Sequence, residues 1–107
     1  MYATVLTIVP DEATSLRISA ALIESRLAAC ANRFRVQSTY RWKGEIVESK
    51  EVAILLKIRS NDFSKVQAAI KKMHPYEVPC IVKYDISDGL PDYLAWIRES
   101  TIRRRPD

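Results

Sequence analysis

Apolar and polar positions change period along the chain, and each change predicts an element. Tyr2-Ala3-Thr4-Val5-Leu6-Thr7-Ile8-Val9 is β-branched and largely apolar without clean alternation, which predicts a strand covered on both faces inside a sheet. Pro10 ends it, and Asp11 with Glu12 makes a helix start, a capping side chain followed by an acid in the first turn. Ala13, Leu16, Ala20, Ile23 and Leu27 follow three-four spacing and are expected to be the core face of that helix. From residue 33 the pattern becomes strict alternation: Phe34, Val36, Ser38, Tyr40 and Trp42 point one way, Arg33, Arg35, Gln37, Thr39 and Arg41 the other. Lys43-Gly44 supplies a two-residue hairpin turn, and a return strand begins at Glu45. Glu48, Lys50 and Glu51 interrupt its alternation, which predicts a bulge or an exposed extension between Ile46 and Glu51. Val52-Ala53-Ile54-Leu55-Leu56-Lys57-Ile58 is then apolar on both faces.

Asn61 or Asp62 is expected to cap a second amphipathic helix, with Phe63, Val66, Ile70 and Met73 as its core stripe. His74-Pro75-Tyr76-Glu77-Val78-Pro79 cannot continue a helix, because each proline fixes its own φ and pushes the residue before it towards extended backbone. A fourth strand follows, with Val78, Cys80, Val82, Tyr84 and Ile86 on one face. Asp88-Gly89 breaks it, and Pro91 suits the first turn of a short third helix carrying a Tyr93/Trp96/Ser100 stripe and a Leu90/Leu94/Ile97 stripe. The order is βαββαβ followed by a helix, the ferredoxin-like α+β arrangement with a long second hairpin. Two main helices cover one face of such a sheet, and an apolar second face left bare exceeds what soluble monomers tolerate. Oligomerisation through that face is the expectation, with the hairpin from Phe34 to Ile58 supplying edges for a neighbouring subunit.

Composition narrows the picture further. A chain of 107 residues, 48% hydrophobic and 28% charged, is expected to be a single globular domain over 1–107. There is no secretory-type start and no apolar run near the ~20 residues that span a bilayer, so a soluble cytoplasmic protein is expected, without membrane partners. The net charge is +4; removing Arg103, Arg104, Arg105 and Asp107 leaves +2 for the body, too little for a nucleic-acid footprint. The arginine run is expected to be a solvated, frayed end. Cys30 and Cys80 form no CxxC spacing and are expected to be small buried side chains.

The candidate chemistry gathers at the prolyl stretch. His74, the sole histidine, stands beside Met73, Tyr76 and Glu77, a donor set open to copper or another transition metal; the plainer alternative is a histidine closing a helix C-terminus. Tyr40 and Trp42 share a face at the hairpin tip, suited to stacking on a ligand or packing on a partner subunit. Arg33, Arg35 and Arg41 form a basic stripe, read as a solvated strand face rather than a phosphate track. Lys57 in an apolar strand must find a partner, and Glu77 is the expected one, as a structural pair or an acid–base pair. No Ser-His-Asp order, glycine-rich phosphate loop or dense ligand cluster is present, so the residues make no positive case for an enzyme and no catalytic residue is named.

Taken in order, five segments resemble the CutA family of divalent-cation tolerance proteins: Pro10-Asp11-Glu12, Arg26-Leu27-Ala28-Ala29-Cys30-Ala31-Asn32, Ser38-Thr39-Tyr40-Arg41-Trp42-Lys43-Gly44, His74-Pro75-Tyr76-Glu77-Val78-Pro79 and Pro91-Asp92-Tyr93-Leu94-Ala95-Trp96. The resemblance runs from about Val5 to Thr101. It implies a ferredoxin-like subunit in a compact homotrimer, a role in tolerance to copper and other divalent metals, and no catalytic activity. It places Tyr40, Trp42, Lys57, His74, Tyr76, Glu77 and Trp96 around clefts between subunits, with His74 as the metal ligand. Thr7 stands where some members carry a metal-binding cysteine, Met73 where some carry a second histidine and Cys80 where an acid is common, so copper binding is expected to be weak or conditional. The rival expectation is a PII-like signalling or adaptor trimer that holds a small anionic ligand with Lys57 and nearby arginines, Trp42 or Trp96 stacking on it. A scaffold for a second protein is the remaining alternative.

Overall fold

Four antiparallel strands form one sheet. The computed structural model describes residues 1–103. Its elements are β1 (Tyr2–Val9), α1 (Glu12–Glu24), β2 (Cys30–Trp42), β3 (Glu45–Arg59), a 3-10 turn (Ser60–Asp62), α2 (Phe63–Met73), β4 (Ile81–Ile86) and α3 (Pro91–Ser100). The α+β class, the βαββαβ order and the closing helix are those predicted from the pattern.

The β2/β3 hairpin closes as expected on Lys43 and Gly44, whose φ angles of 50° and 80° make a turn with the twist of the strands it joins. Lysine tolerates this backbone beside Trp42, with its Nζ 5.7 Å from the centre of the indole ring. Pairing then runs unbroken from Trp42↔Glu45 to Cys30↔Lys57, so there is no bulge between Ile46 and Glu51. The second alternative holds. β1 pairs with β3 only from Val52 to Arg59, and residues 45–51 project beyond the central sheet with β2 as their sole partner. The charges of Glu48 and Lys50 mark that solvated extension.

β1 lies inside the sheet as predicted, between β3 and β4, yet within one subunit only one of its faces is fully covered. Ala3, Val5, Thr7 and Val9 are buried with Ile54, Leu56 and Ile58 of β3, while Tyr2, Thr4, Leu6 and Ile8 are half-buried on the other side. α2 supplies Val66 and Ile70 to this core, with Phe63 and Met73 packed at its margin, the stripe predicted.

α1 overturns the face assigned to it. Its buried residues are Thr14, Ser15, Ile18, Ser19 and Leu22, whereas Leu16 is 56% exposed and Ala13, Ala20 and Ile23 face outward. Small hydroxyl side chains occupy little space between helix and sheet, and Ser15 satisfies its hydroxyl on the Glu12 carbonyl at 3.0 Å. Ile18 and Leu22 are the apolar anchors. Asp11 caps the helix as expected, accepting the Thr14 N–H at 2.8 Å. At the other end Arg26 takes a left-handed φ of 60°; its N–H reaches the Ile23 carbonyl and that of Leu27 reaches Leu22, closing the helix and turning Leu27 back onto the core.

Three further expectations are corrected. Asp62 precedes α2, but its carboxylate does not cap the helix: it receives the Arg103 guanidinium at 2.8 and 3.1 Å and pairs with Arg59 at 3.6 Å. A carboxylate this buried needs a charged fork, and Arg103 is therefore tied down rather than frayed. Arg104 and Arg105 lie outside the described residues. The fourth strand begins at Ile81, so Val78 and Cys80 precede it, with Pro79 unable to donate to a ladder.

The second sheet face carries Leu6, Ile8, Ala53, Leu55, Phe34, Val82 and Tyr84 in register. α3 lies against β3 at one end of it: Tyr93 stands by Cys30, Ile97 is buried, and Arg59 donates to the Thr101 carbonyl at 2.8 Å. Beyond α3 the face stays open, with Phe34 46% and Tyr84 56% exposed.

Candidate functional site

The end of α2 and the prolyl loop after it build the site. His74 closes α2 with its backbone N–H on the Ile70 carbonyl at 2.8 Å, and Pro75 prevents another turn. The imidazole is 8% exposed and both of its nitrogens are used. Nδ1 accepts the Tyr76 backbone N–H at 3.2 Å, so Nε2 carries the proton and donates it to the Ile8 carbonyl at 2.7 Å. That carbonyl lies one residue beyond the last β1–β4 pair, Thr7↔Ile81, where the imidazole continues the hydrogen bonding that β4 no longer supplies. The ring packs against Tyr76 with centroids 4.9 Å apart.

Tyr76 is thereby aimed at β3. Its hydroxyl donates to Glu51 Oε2 at 2.6 Å, and Glu51 is only 6% exposed. Burial, then the bond to Glu51, raise the phenol well above its ordinary pKa of 10.0. Above this pair opens a cleft of about 710 Å³ lined by Ile8, Ser38, Tyr40, Arg41, Trp42, Glu51, Pro75, Tyr76, Glu77, Val78 and Cys80. Burial and the nearby Glu51 push the Cys80 thiol up, which keeps it protonated and poorly nucleophilic.

Of the residues singled out in the sequence, Tyr40, Trp42, Tyr76 and Glu77 meet in this cleft, and His74 supports it from behind. Lys57 and Trp96 do not. Lys57 donates to Asn32 Oδ1 at 2.7 Å, so the expected Lys57–Glu77 pair is absent. Lys57 pairs across the sheet with Thr4, whereas the loop of Glu77 sits at the Ile8 end of β1, roughly four residues or 13 Å along the strand. Trp96 stacks with Tyr93 at 5.5 Å. The anion site imagined from Lys57 and Trp42 is therefore not assembled within one subunit. Arg33, Arg35 and Arg41 are exposed, Arg35 pairing with Glu12 at 3.0 Å.

Glu51 is a site residue that its own stretch of sequence marks only as a charge in a strand. The signal was present: in the hairpin register it faces Val36, on the face of Phe34 and Tyr40, where a carboxylate is out of place. Within one subunit the donor set for a metal centre is incomplete, His74 standing without a second converging ligand among the described residues. Among the described residues no group of three His, Cys, Asp or Glu side chains converges, Met73 packs on the core, and Thr7 is fully buried under the helices with its hydroxyl unpartnered.

Tyr76→Phe removes the only hydrogen-bond donor that Glu51 has among the described residues. A loss of about 1–3 kcal/mol is expected, read as a lower urea midpoint at fixed protein concentration; an unchanged midpoint would mean the bond adds nothing. Folding raises this phenol's pKa, so its contribution is complete below pH 10 and declines as pH rises towards the folded value. The wild type is therefore expected to lose stability above pH 10 more steeply than the variant.

Comparison with known proteins returned a consistent set of relatives. A family model described as CutA1 divalent ion tolerance protein matches residues 3–100. The divalent-cation tolerance protein CutA of Thermus thermophilus is 44% identical over 102 residues, 94% of this chain and 99% of that protein. Its solved structure superposes with a TM-score of 0.91, covering 94% of this chain and 99% of that one. The periplasmic divalent cation tolerance protein CutA of Archaeoglobus fulgidus, 36% identical, superposes with a TM-score of 0.94 over 95% of this chain and all of that one.

Proposed function

This chain belongs to the CutA1 divalent ion tolerance family, and from that membership we propose that it acts in tolerance to divalent cations as a homotrimer closed over the open sheet face. The observation that carries the assembly is that face: Leu6, Ile8 and Leu55 lie half-covered at its centre, flanked by exposed Phe34, Val82 and Tyr84. An apolar surface of this kind is stable in water when a second surface covers it. The free thiols of Cys30 and Cys80 favour a reducing, cytoplasmic setting.

Metal, copper or another divalent ion, is met conditionally at His74. Either ring nitrogen becomes a ligand only after a buried hydrogen bond is given up, to Ile8 or to Tyr76. Breaking one costs about 1–3 kcal/mol, which weakens affinity roughly 5- to 150-fold relative to a free imidazole. Light scattering is expected to give three copies of the 12.3 kDa chain, and the gene is expected to restore copper-resistant growth to cells lacking their own copy. A single-copy mass, or growth no better than the empty vector, would refute the corresponding half.

A further inference from the structure

The ends of α1, β3 and α3 and the turn before α2 meet at one pole of the subunit, and a single side chain joins them. Asp62, in that turn, is only 6% exposed, and a carboxylate taken this far from water needs donors on its oxygens. Arg103 supplies them as a fork: Nη2 donates to Oδ1 at 2.8 Å and Nη1 to Oδ2 at 3.1 Å. Arg59 cannot stand in for it, because its Nε lies 3.6 Å from Oδ2, beyond hydrogen-bond range, and makes no hydrogen bond among the described residues.

The Arg103 guanidinium reaches two further segments. Nη1 also donates to the Arg26 carbonyl at 2.9 Å and to the Thr101 carbonyl at 3.2 Å. Arg26 holds the left-handed backbone that ends α1, uncommon for a residue other than glycine, and its carbonyl is thereby partnered. The end of α3 presents carbonyls without helical partners and a partial negative charge. Three arginines answer it: Arg59 donates to the Thr101 carbonyl at 2.8 Å and Arg26 to that of Ser100 at 3.5 Å, beside the bond from Arg103. Thr101 is fully buried and turns its hydroxyl onto the Ile97 carbonyl at 2.8 Å, which fixes the way the chain leaves the helix.

α3 depends on such help. It has ten residues and no side-chain cap at its start, and a helix that short does not persist alone in water. It packs on β3 from the face of Cys30, whereas α1 and α2, and with them Arg26 and Asp62, belong to the opposite layer. Residues 101–103 therefore cross the end of the sheet from one face to the other. We propose that these residues form a strap with Arg103 as its catch: while the guanidinium sits on Asp62 α3 is held on the sheet, and once it is withdrawn α3 lifts as a unit and leaves the rest of the fold closed. Every contact in the strap is made within one subunit, so it acts in single copies and in the assembly alike, and independently of cation tolerance.

Amide hydrogen exchange on the assembled protein at neutral pH tests this, comparing wild type with Arg103→Gln, Arg103→Lys and Asp62→Asn. In Arg103→Gln and Asp62→Asn the α3 amides are expected to exchange about 10- to 100-fold faster, while those of the paired core residues Val5 and Leu56 keep their wild-type rates. Arg103→Lys keeps the charge without the fork, so its α3 rates are expected to fall between. It also leaves Asp62 a cationic donor, which keeps the comparison open should the other two variants fail to fold. Unchanged α3 exchange would overturn the proposal, because other contacts would then hold the helix. So would equal acceleration of α3 and the core strands, which would make Arg103 a support of the whole fold and not a catch on one helix.

Discussion

His74→Ala is expected to destabilise the metal-free protein by about 2–4 kcal/mol, more than removal of a surface ligand ever does. The substitution strips partners from the Ile8 carbonyl and the Tyr76 N–H together, and each buried group left without one costs about 1–3 kcal/mol. It also frees Tyr76 from the ring it packs on, so the hydroxyl bond to Glu51 should weaken with it. Chemical unfolding at fixed protein concentration, with a chelator present, reads the effect; an undiminished midpoint would deny the imidazole its structural role. Added Cu(II) is expected to raise the wild-type midpoint only in large excess over protein and to leave the variant unmoved. A substantial rise at equimolar copper would mean that the ring gives up its hydrogen bonds far more readily than its burial implies.

Phe34→Glu is expected to reduce the assembly to single copies while leaving each copy folded. Phe34 is 46% exposed in the subunit and sits on edge strand β2, so the folded chain accommodates a carboxylate there. Covered by a second subunit, the same carboxylate would be a buried charge without a partner, at about 3–5 kcal/mol per copy. Sedimentation should give the mass of one 12.3 kDa chain at micromolar concentration with an unchanged far-ultraviolet spectrum. A mass unchanged from wild type would place the interface elsewhere. Loss of the spectrum would mean that the subunit cannot stand without its neighbours.

Periodicity located the strands and helices because burial on one face imposes it, and it was most reliable where the two faces differ most. β2 alternates between aromatic or aliphatic and basic residues, and α2 sets its apolar stripe against lysines; both were read correctly. α1 misled because its packed face is mostly serine and threonine, whose value there is small volume, a property that hydropathy does not measure. The site was legible in part. His74, Tyr76, Glu77 and Pro79 are close in sequence and announced themselves as a loop, and Tyr40 with Trp42 announced the facing wall. Glu51 was read as a charge interrupting a strand, since its partner Tyr76 lies 25 positions away and only the closed sheet brings them together. The same distance effect hid the Arg103–Asp62 pair and created the false Lys57–Glu77 one.

The position of β1 between β3 and β4 sets a schedule for the chain as it leaves the ribosome. Val9 pairs with Val52 and Tyr2 with Arg59, so β1 emerges roughly 2–10 s before its first partner strand at ordinary elongation rates. Its second partner, β4, is later still. The β2/β3 hairpin needs only Lys43 and Gly44 to turn and closes in microseconds once both arms are out. Of the four strands β1 is thus made before its partners and enclosed last, and for those seconds Val5, Leu6 and Ile8 travel as an unpaired apolar segment. That interval, rather than the finished fold, is where the newborn chain most needs the shelter of a chaperone.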